Sequence, residues 1–329
     1  MLVSRSLESA PATTLQVSVR GRRRRVTRDR IISILLIVPS AVAIGVFVYG
    51  FIGWTVWAAL TNWNNLAPFT QVCIPGGACL FPRVEFVGLQ TFERLLQNSR
   101  FLIDVQNTAT FTVLFVVACN AIGLLLAVLL DRNMPGENFF RVIFLLPMAI
   151  SLIVTGVVWR WLENPSTGLN LLFDALHLDF LSNGWYTDPS IGIKAVVVAA
   201  TWQMSGYVMA LYLAGLRGIS NDLREAARVD GASEWQVFRH IILPLLAPIT
   251  VTAVIILGHI SLKIFDLTSA MTGPGPAFAD DVPALFMYNT TFQGNHFAQG
   301  ASIATLLLLI VGTLVIPYLI YSLRSETEQ

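Results

Sequence analysis

Glu225-Ala226-Ala227-Arg228-Val229-Asp230-Gly231-Ala232, followed by Phe238, Ile241, Leu243 and Pro244, is a polar stretch lying between two long apolar segments. Asp222 with Glu225 three residues later forms a carboxylate variant of the capping box, and Ala226 and Ala227 favour helix strongly. Gly231 suits the left-handed turn that ends such a helix. Ser233 with Gln236 then makes a full capping box for a second short helix running through Phe238 towards Pro244. The expected result is helix, tight turn, helix. Alanines on one face let a partner groove approach the backbone closely, Glu225 and Asp230 present anchoring charges, and Gly231 sets the angle between the helices. A compact knob of this kind can pass a partner's motion on as a rigid lever. A merely solvated amphipathic connector satisfies the same local physics.

The surroundings say where this pair sits. Of 329 residues, 55% are hydrophobic and 12% charged, about half the charged share of a soluble domain. The chain belongs to the membrane class, and a net charge of +1 leaves no global field for nucleic acid. Arg20, Arg22, Arg23, Arg24, Arg25, Arg28 and Arg30 precede the first apolar run and read as a cytoplasmic anchor. That run extends about 30 residues without a small-residue cleavage site, so it is expected to be a retained span and not a signal peptide.

Crossing the hydrocarbon takes about 20 apolar residues, and six stretches qualify, at roughly 31–60, 102–130, 141–162, 191–216, 241–263 and 301–323. All are expected to be helices, because a backbone in lipid must satisfy its own hydrogen bonds. Pro39, Pro147 and Pro317 fall inside spans and are expected to kink them. In this arrangement fifteen Lys and Arg residues lie on the side of the N-terminus and six on the other, which makes both termini cytoplasmic. The chain is thus expected to be all-α and polytopic. Residues 1–30 form a basic cytoplasmic segment, 31–323 one membrane domain with the polar pair in a cytoplasmic loop at 217–240, and 324–329 a cytoplasmic tail.

The outer connections run from about 62 to 101, 163 to 190 and 264 to 300. Cys73 and Cys79 flank the Pro75-Gly76-Gly77 turn in the first of them, as a disulfide outside the reducing cytosol or as two free thiols; Cys119 lies in the second span. No metal-ligating cluster is evident: the only adjacent acidic pair, Asp280-Asp281, has no His or Cys near it in sequence. There is no Gly-x-x-x-x-Gly-Lys-Ser/Thr loop, so the chain itself carries no ATPase site.

Polar groups at membrane depth are costly and face a cavity or a neighbouring helix. Asn120 in the second span, Trp202, Gln203, Ser205 and Tyr207 in the fourth, and His259, Ser261 and Lys263 in the fifth are the candidates. Trp202, Gln203 and Tyr207 supply the aromatic faces and amide that a sugar needs; Gln203 and Asn120 serve equally as interhelical hydrogen-bond glue. His259 and Lys263 share one face and Lys263 can pair with Asp266, which reads more as a gate or lock than as a sugar contact. Trp159, Arg160 and Trp161 read as an interfacial belt. The absence of a midplane arginine argues against a phosphorylated substrate.

The run Glu225-Ala226-Ala227, Asp230-Gly231-Ala232, Phe238, Ile241, Leu243 and Pro244 resembles the coupling signature of binding-protein-dependent ABC importer permeases. The similarity extends to Arg141 through Leu145-Leu146-Pro147, Trp159 to Pro165 and Tyr288 to Phe292, which look like the carbohydrate importers. Ala214-Gly215-Leu216-Arg217-Gly218, His259 through Asp266 and Pro283-Ala284-Leu285-Phe286-Met287-Tyr288 look most like the glucose/mannose-type permeases. One departure is Thr272-Gly273-Pro274-Gly275-Pro276, where many sugar permeases have Thr-x-Gly-Gly-Pro. The resemblance implies a type I importer permease fold in a bacterial or archaeal plasma membrane. It implies as partners a second permease, two ABC ATPase subunits that use ATP and Mg, an extracytoplasmic sugar-binding protein and membrane lipid, with no cofactor held by this chain. The implied substrate is a neutral monosaccharide such as glucose or mannose, with a di- or oligosaccharide, alpha-glucoside or polyol as the alternative. An ion-driven secondary transporter or a membrane-embedded enzyme are the remoter readings.

Overall fold

The computed structural model describes residues 28–64, 84–131, 135–262 and 264–327. Among the described residues everything regular is helical; the one strand-like feature is a bridge between Thr61 and Phe86. The chain divides into two compact units, the first ending at Ile52 and the second beginning at Gly53.

The first unit holds α1 (Arg28–Ile44), a π-helical stretch, Gly45–Gly50, and the first two residues of α2 (Phe51–Ala59). Pro39 lies inside α1 without ending it. The run Leu35–Ala59 has 25 residues and a mean hydropathy of 2.4, enough to cross a bilayer. Its apolar side chains, such as Leu35, Leu36 and Phe47, stand exposed, as a helix solvated by lipid would hold them.

The second unit is built on two long helices. α3 (Gln90–Leu96) leads into α4 (Ser99–Leu130), whose first turn is capped by Asn98, its side-chain oxygen accepting from the amides of Arg100 and Phe101. α8 (Ile193–Gly218) packs along α4, and their contact face holds Phe111 stacked on Phe115 at 5.2 Å, with Cys119, Met209, Tyr212 and Leu213 all buried. Gly123 lets the two backbones meet: a Cβ there would lie 2.7 Å from Val208 Cγ1 and 2.9 Å from the Met209 amide nitrogen. Gly123→Ala should therefore cost about 1–3 kcal/mol by overpacking and lower the melting temperature in detergent. Gly218→Ala, where nothing lies within 4 Å, is the control that should not.

Two expected spans are broken helices. α5 (Glu137–Leu145) continues into a 3-10 turn, Leu146–Ala149, and meets α6 (Leu152–Leu162) at a bend of 100°. Pro147 supplies no N–H at that turn and Ile150 and Ser151 are extended, so the helix cannot run on. The second break follows the polar pair: α9 (Asn221–Val229), α10 (Glu234–Val237), a π-helical stretch Phe238–Ile242 and α11 (Leu243–Leu245) lead to α12 (Ala247–Ser261) across a bend of 60°. Among the described residues three single helices are long and apolar enough to cross a membrane, or up to five spans when each bent pair counts as one. The last expected span lies in α15 (Phe297–Thr327), which runs through Pro317 and into the expected tail without interruption.

Short elements close the side opposite the polar pair. α7 (Leu169–Ala175) follows α6; α13 (Asp266–Met271) packs on α6, with Gly156 facing the Leu267 carbonyl; and α14 (Pro283–Tyr288) precedes α15.

Candidate functional site

The polar pair folds as its local sequence dictates, with one correction. Ser220, not Asp222, caps α9: its hydroxyl accepts from the Asp222 amide at 3.1 Å, and Asp222 sits inside the first turn, where a carboxylate favours the positive helix end. Gly231 ends α9 with φ of +82°, while the amide of Ala232 reaches back to the Ala227 carbonyl at 2.9 Å. The Ser233–Gln236 capping box is complete, the Ser233 amide donating to Gln236 Oε1 at 2.7 Å. Arg228 Nε donates to Glu234 Oε1 at 2.8 Å across the turn, tying the two helices together.

Of the residues expected to meet a partner, Glu225, Ala226, Asp230 and Gly231 are exposed and Ala232 is half-buried. Ala227 is buried in the chain's own core, so the small-residue face is divided between inside and outside. A hollow of about 350 Å³ lies at the knuckle, lined by Asp230, Gly231, Ala232, Gln236, Val237 and His240 among others. Two apolar side chains that the sequence reading left out also stand clear of the surface here, Val229 at 87% and Trp235 at 65% exposure. Their signal is an apolar residue on the outer face of an otherwise polar helix. Exposed apolar groups rimmed by charge mark a protein docking surface.

The expected pathway residues do not converge. Trp202 is exposed on α8 and meets the buried Trp159 edge-on at 5.9 Å, so Trp159 belongs to the interior while Trp161 stays exposed. Gln203 points the other way and is buried; its Nε2 donates to the Ile150 carbonyl at 2.7 Å, satisfying backbone freed by the break between α5 and α6. Asn120 makes an interhelical hydrogen bond too, its Oδ1 accepting at 2.8 Å from the Tyr212 hydroxyl, whose oxygen lies 3.0 Å from Thr250 Oγ1. That chain joins α4, α8 and α12. Tyr207 is half-buried against the core, and His259 is half-buried with Nδ1 unpartnered. Lys263, Cys73 and Cys79 lie outside the described residues.

At the other end of the core the sequence concealed a buried charge cluster. Arg100 Nε donates to Asp281 Oδ2 at 2.7 Å while its guanidinium lies over Phe286 and Phe278, 4.4 and 4.6 Å from the ring centres. Asn107 Nδ2 donates to the carbonyls of Phe278 and Asp281, pinning the same loop. Asp280 and Glu163 are fully buried beside this clamp with no hydrogen-bond partner on either carboxyl. Burial, and then the charge of Asp280, push Glu163 up to about 9; burial, and then the charge of Asp281, push Asp280 up to about 7. The folded chain thus keeps these protons where an unfolded chain has lost them. Their contribution to stability is complete below the ordinary carboxylate range and is lost as pH rises through about 7 and about 9. Glu163→Gln should flatten the fall of melting temperature with pH across that window, and an unchanged slope would contradict the assignment. Among the described residues no group of three or more His, Cys, Asp and Glu is arranged to hold a metal.

Apolar helices of membrane-crossing length with a capped polar helix pair between two of them define a multi-pass membrane protein. Residues 119–326 match the family described as the binding-protein-dependent transport system inner membrane component, and the chain belongs to that family. It is 40% identical over 294 residues to a probable ABC transporter permease protein of Pyrococcus horikoshii, covering 89% of this chain and 96% of that one. It is 34% identical over 286 residues to a xylose/arabinose import permease protein of Haloferax volcanii, covering 86% of each. In fold it is similar to a chain of a solved bacterial ABC transporter involved in import of the acidic polysaccharide alginate, with a TM-score of 0.72 at 22% identity, covering 91% of this chain and 97% of that one.

Proposed function

We propose that this chain is the permease subunit of an ATP-driven sugar importer that crosses the membrane six times with both termini cytoplasmic, lines the pathway together with a second permease, and receives sugar from an extracytoplasmic binding protein. The observation that carries the reading is the exposed knob formed by α9 and α10, which is stiff, doubly capped and apolar at Val229 and Trp235. Those are the properties of a docking lever for an ATPase, of which two copies would hydrolyse ATP with Mg on the cytoplasmic side. Membership of the binding-protein-dependent family supports the partnership.

The substrate we assign is a neutral monosaccharide such as glucose or mannose. A relative named for xylose and arabinose import supports a sugar of that size, and the likeness in fold to an importer of an acidic polysaccharide keeps an oligosaccharide as the second reading. Trp202 is the residue we place on the sugar path, because its ring is large, aromatic and exposed on the central helix α8. Trp202→Ala is expected to lower sugar uptake by about tenfold, the upper range for one stacking face, with the ATPase still bound. Loss of assembly would instead make Trp202 a packing residue.

Co-purification tests the docking. A tagged chain expressed with its partner permease and ATPase should bring the ATPase down, and Glu225→Lys should release it while the chain stays folded in the membrane. An ATPase retained equally by Glu225→Lys and by a chain lacking residues 221–237 would overturn the assignment of this surface.

A further inference from the structure

The carboxylate of Asp131 stands at the C-terminal end of α4, where the helix dipole disfavours negative charge, and a single guanidinium explains why it is held there. Arg224, in the second turn-forming residue set of α9, donates from Nη1 to Asp131 Oδ2 at 2.8 Å and from Nη2 to the Leu216 carbonyl at 3.1 Å. Leu216 lies in the last turn of α8, and its carbonyl, which also accepts from the Ile219 amide at 3.3 Å, is at the negative end of that helix. One cation therefore closes the inner ends of both central helices, each of which ends in the negative pole that favours it. Both side chains are largely shielded, at 19% and 16% exposure, unlike the open Arg228–Glu234 pair at 55% and 74%.

Buried Ala227 and Val237 pack into the same core as Leu130 and Leu216, and the bridge adds a charged link on the polar side. A cleft of about 860 Å³ separates the inner half of α4, presenting Leu124, Leu125 and Val128, from Trp235 and Phe238 of the polar pair, and the Arg224–Asp131 bridge crosses it. Arg224 is also the residue immediately before Glu225, so it moves with the docking face.

We infer that Arg224 and Asp131 are a positioning pair that conveys displacement of α9 to the inner ends of α4 and α8, a directed charged link beside the apolar packing that joins the same elements. The inference rests on the docking role proposed for α9 and α10. In the complete importer reconstituted in proteoliposomes, Asp131→Asn and Arg224→Gln should each lower uptake per ATP hydrolysed by about tenfold, within the range of ordinary coupling free energies. Uptake is read with radiolabelled xylose, glucose and maltose presented by the cognate binding protein, and bound ATPase is quantified in the same vesicles. The charge exchange Asp131→Arg/Arg224→Asp should recover a substantial part of the loss, which a generally damaged fold would not do.

Uptake per ATP unchanged in the single variants, an exchange no better than the worse single variant, or single variants absent from the membrane would each overturn the inference. Failure of the docking role has a different appearance: the ATPase is missing from vesicles that hold the unaltered chain.

Discussion

Gly231→Val is expected to leave the protein in the membrane with its ATPase bound and hydrolysing, while sugar uptake falls by about tenfold or more, the scale of a lost coupling free energy. Gly231 holds φ of +82° between α9 and α10, and a Cβ built there meets nothing within 4 Å. The Cβ itself thus meets no neighbour, and the effect argued here comes from the backbone. A β-branched residue in the left-handed region costs about 1–3 kcal/mol, so the turn is expected to relax to another geometry and change the angle of the lever. Asparagine tolerates this conformation, and Gly231→Asn should therefore transport nearly as well as the parent. Unaltered uptake by the valine variant would mean that the angle between the two helices carries no force.

Arg100→Met should be the most destabilising of the single changes, at about 3–5 kcal/mol, because it leaves a buried carboxylate without its counter-charge. Asp281 is fully buried, and Asp104 beside it is fully buried too. The guanidinium between Phe278 and Phe286 is the cation of that cluster, and methionine fills its volume without replacing its charge. The double variant Arg100→Met/Asp281→Asn removes the stranded charge and should recover much of the loss. Thermal unfolding in nanodiscs reads both. A single variant as stable as the parent, or a double variant no better than the single, would show that the clamp is not what holds this loop.

What was legible in the sequence was what local chemistry decides. Gly231, Ser233 and Gln236 act within a few residues of themselves, so turn and capping box appear as expected. The choice of Ser220 over Asp222 as cap depended on which residue leaves helical backbone first, and two adjacent capping side chains conceal that. Pro147 marked a disturbance in the third apolar stretch, but a bend of 100° needs a partner for the freed carbonyl, and that partner, Gln203, lies 53 residues away. The same distance effect hid the hydrogen bonds of Gln203 and Asn120, whose partners lie 53 and 92 residues away. Glu163, Asp280 and Asp281 read as polar loop residues outside the spans, and only folding brings them into the interior beside Arg100. Side chains that meet only in the folded chain were for that reason the least legible part, whereas the short helix pair, whose turn and caps are local, was the most.

Uptake by the reconstituted complex tests most directly whether this chain is one subunit of an ATP-driven sugar importer. Proteoliposomes holding the chain with its partner permease and ATPase should accumulate labelled sugar only when ATP is supplied inside and the binding protein outside. Uptake by the chain alone, driven by an ion gradient and indifferent to ATP, would contradict it.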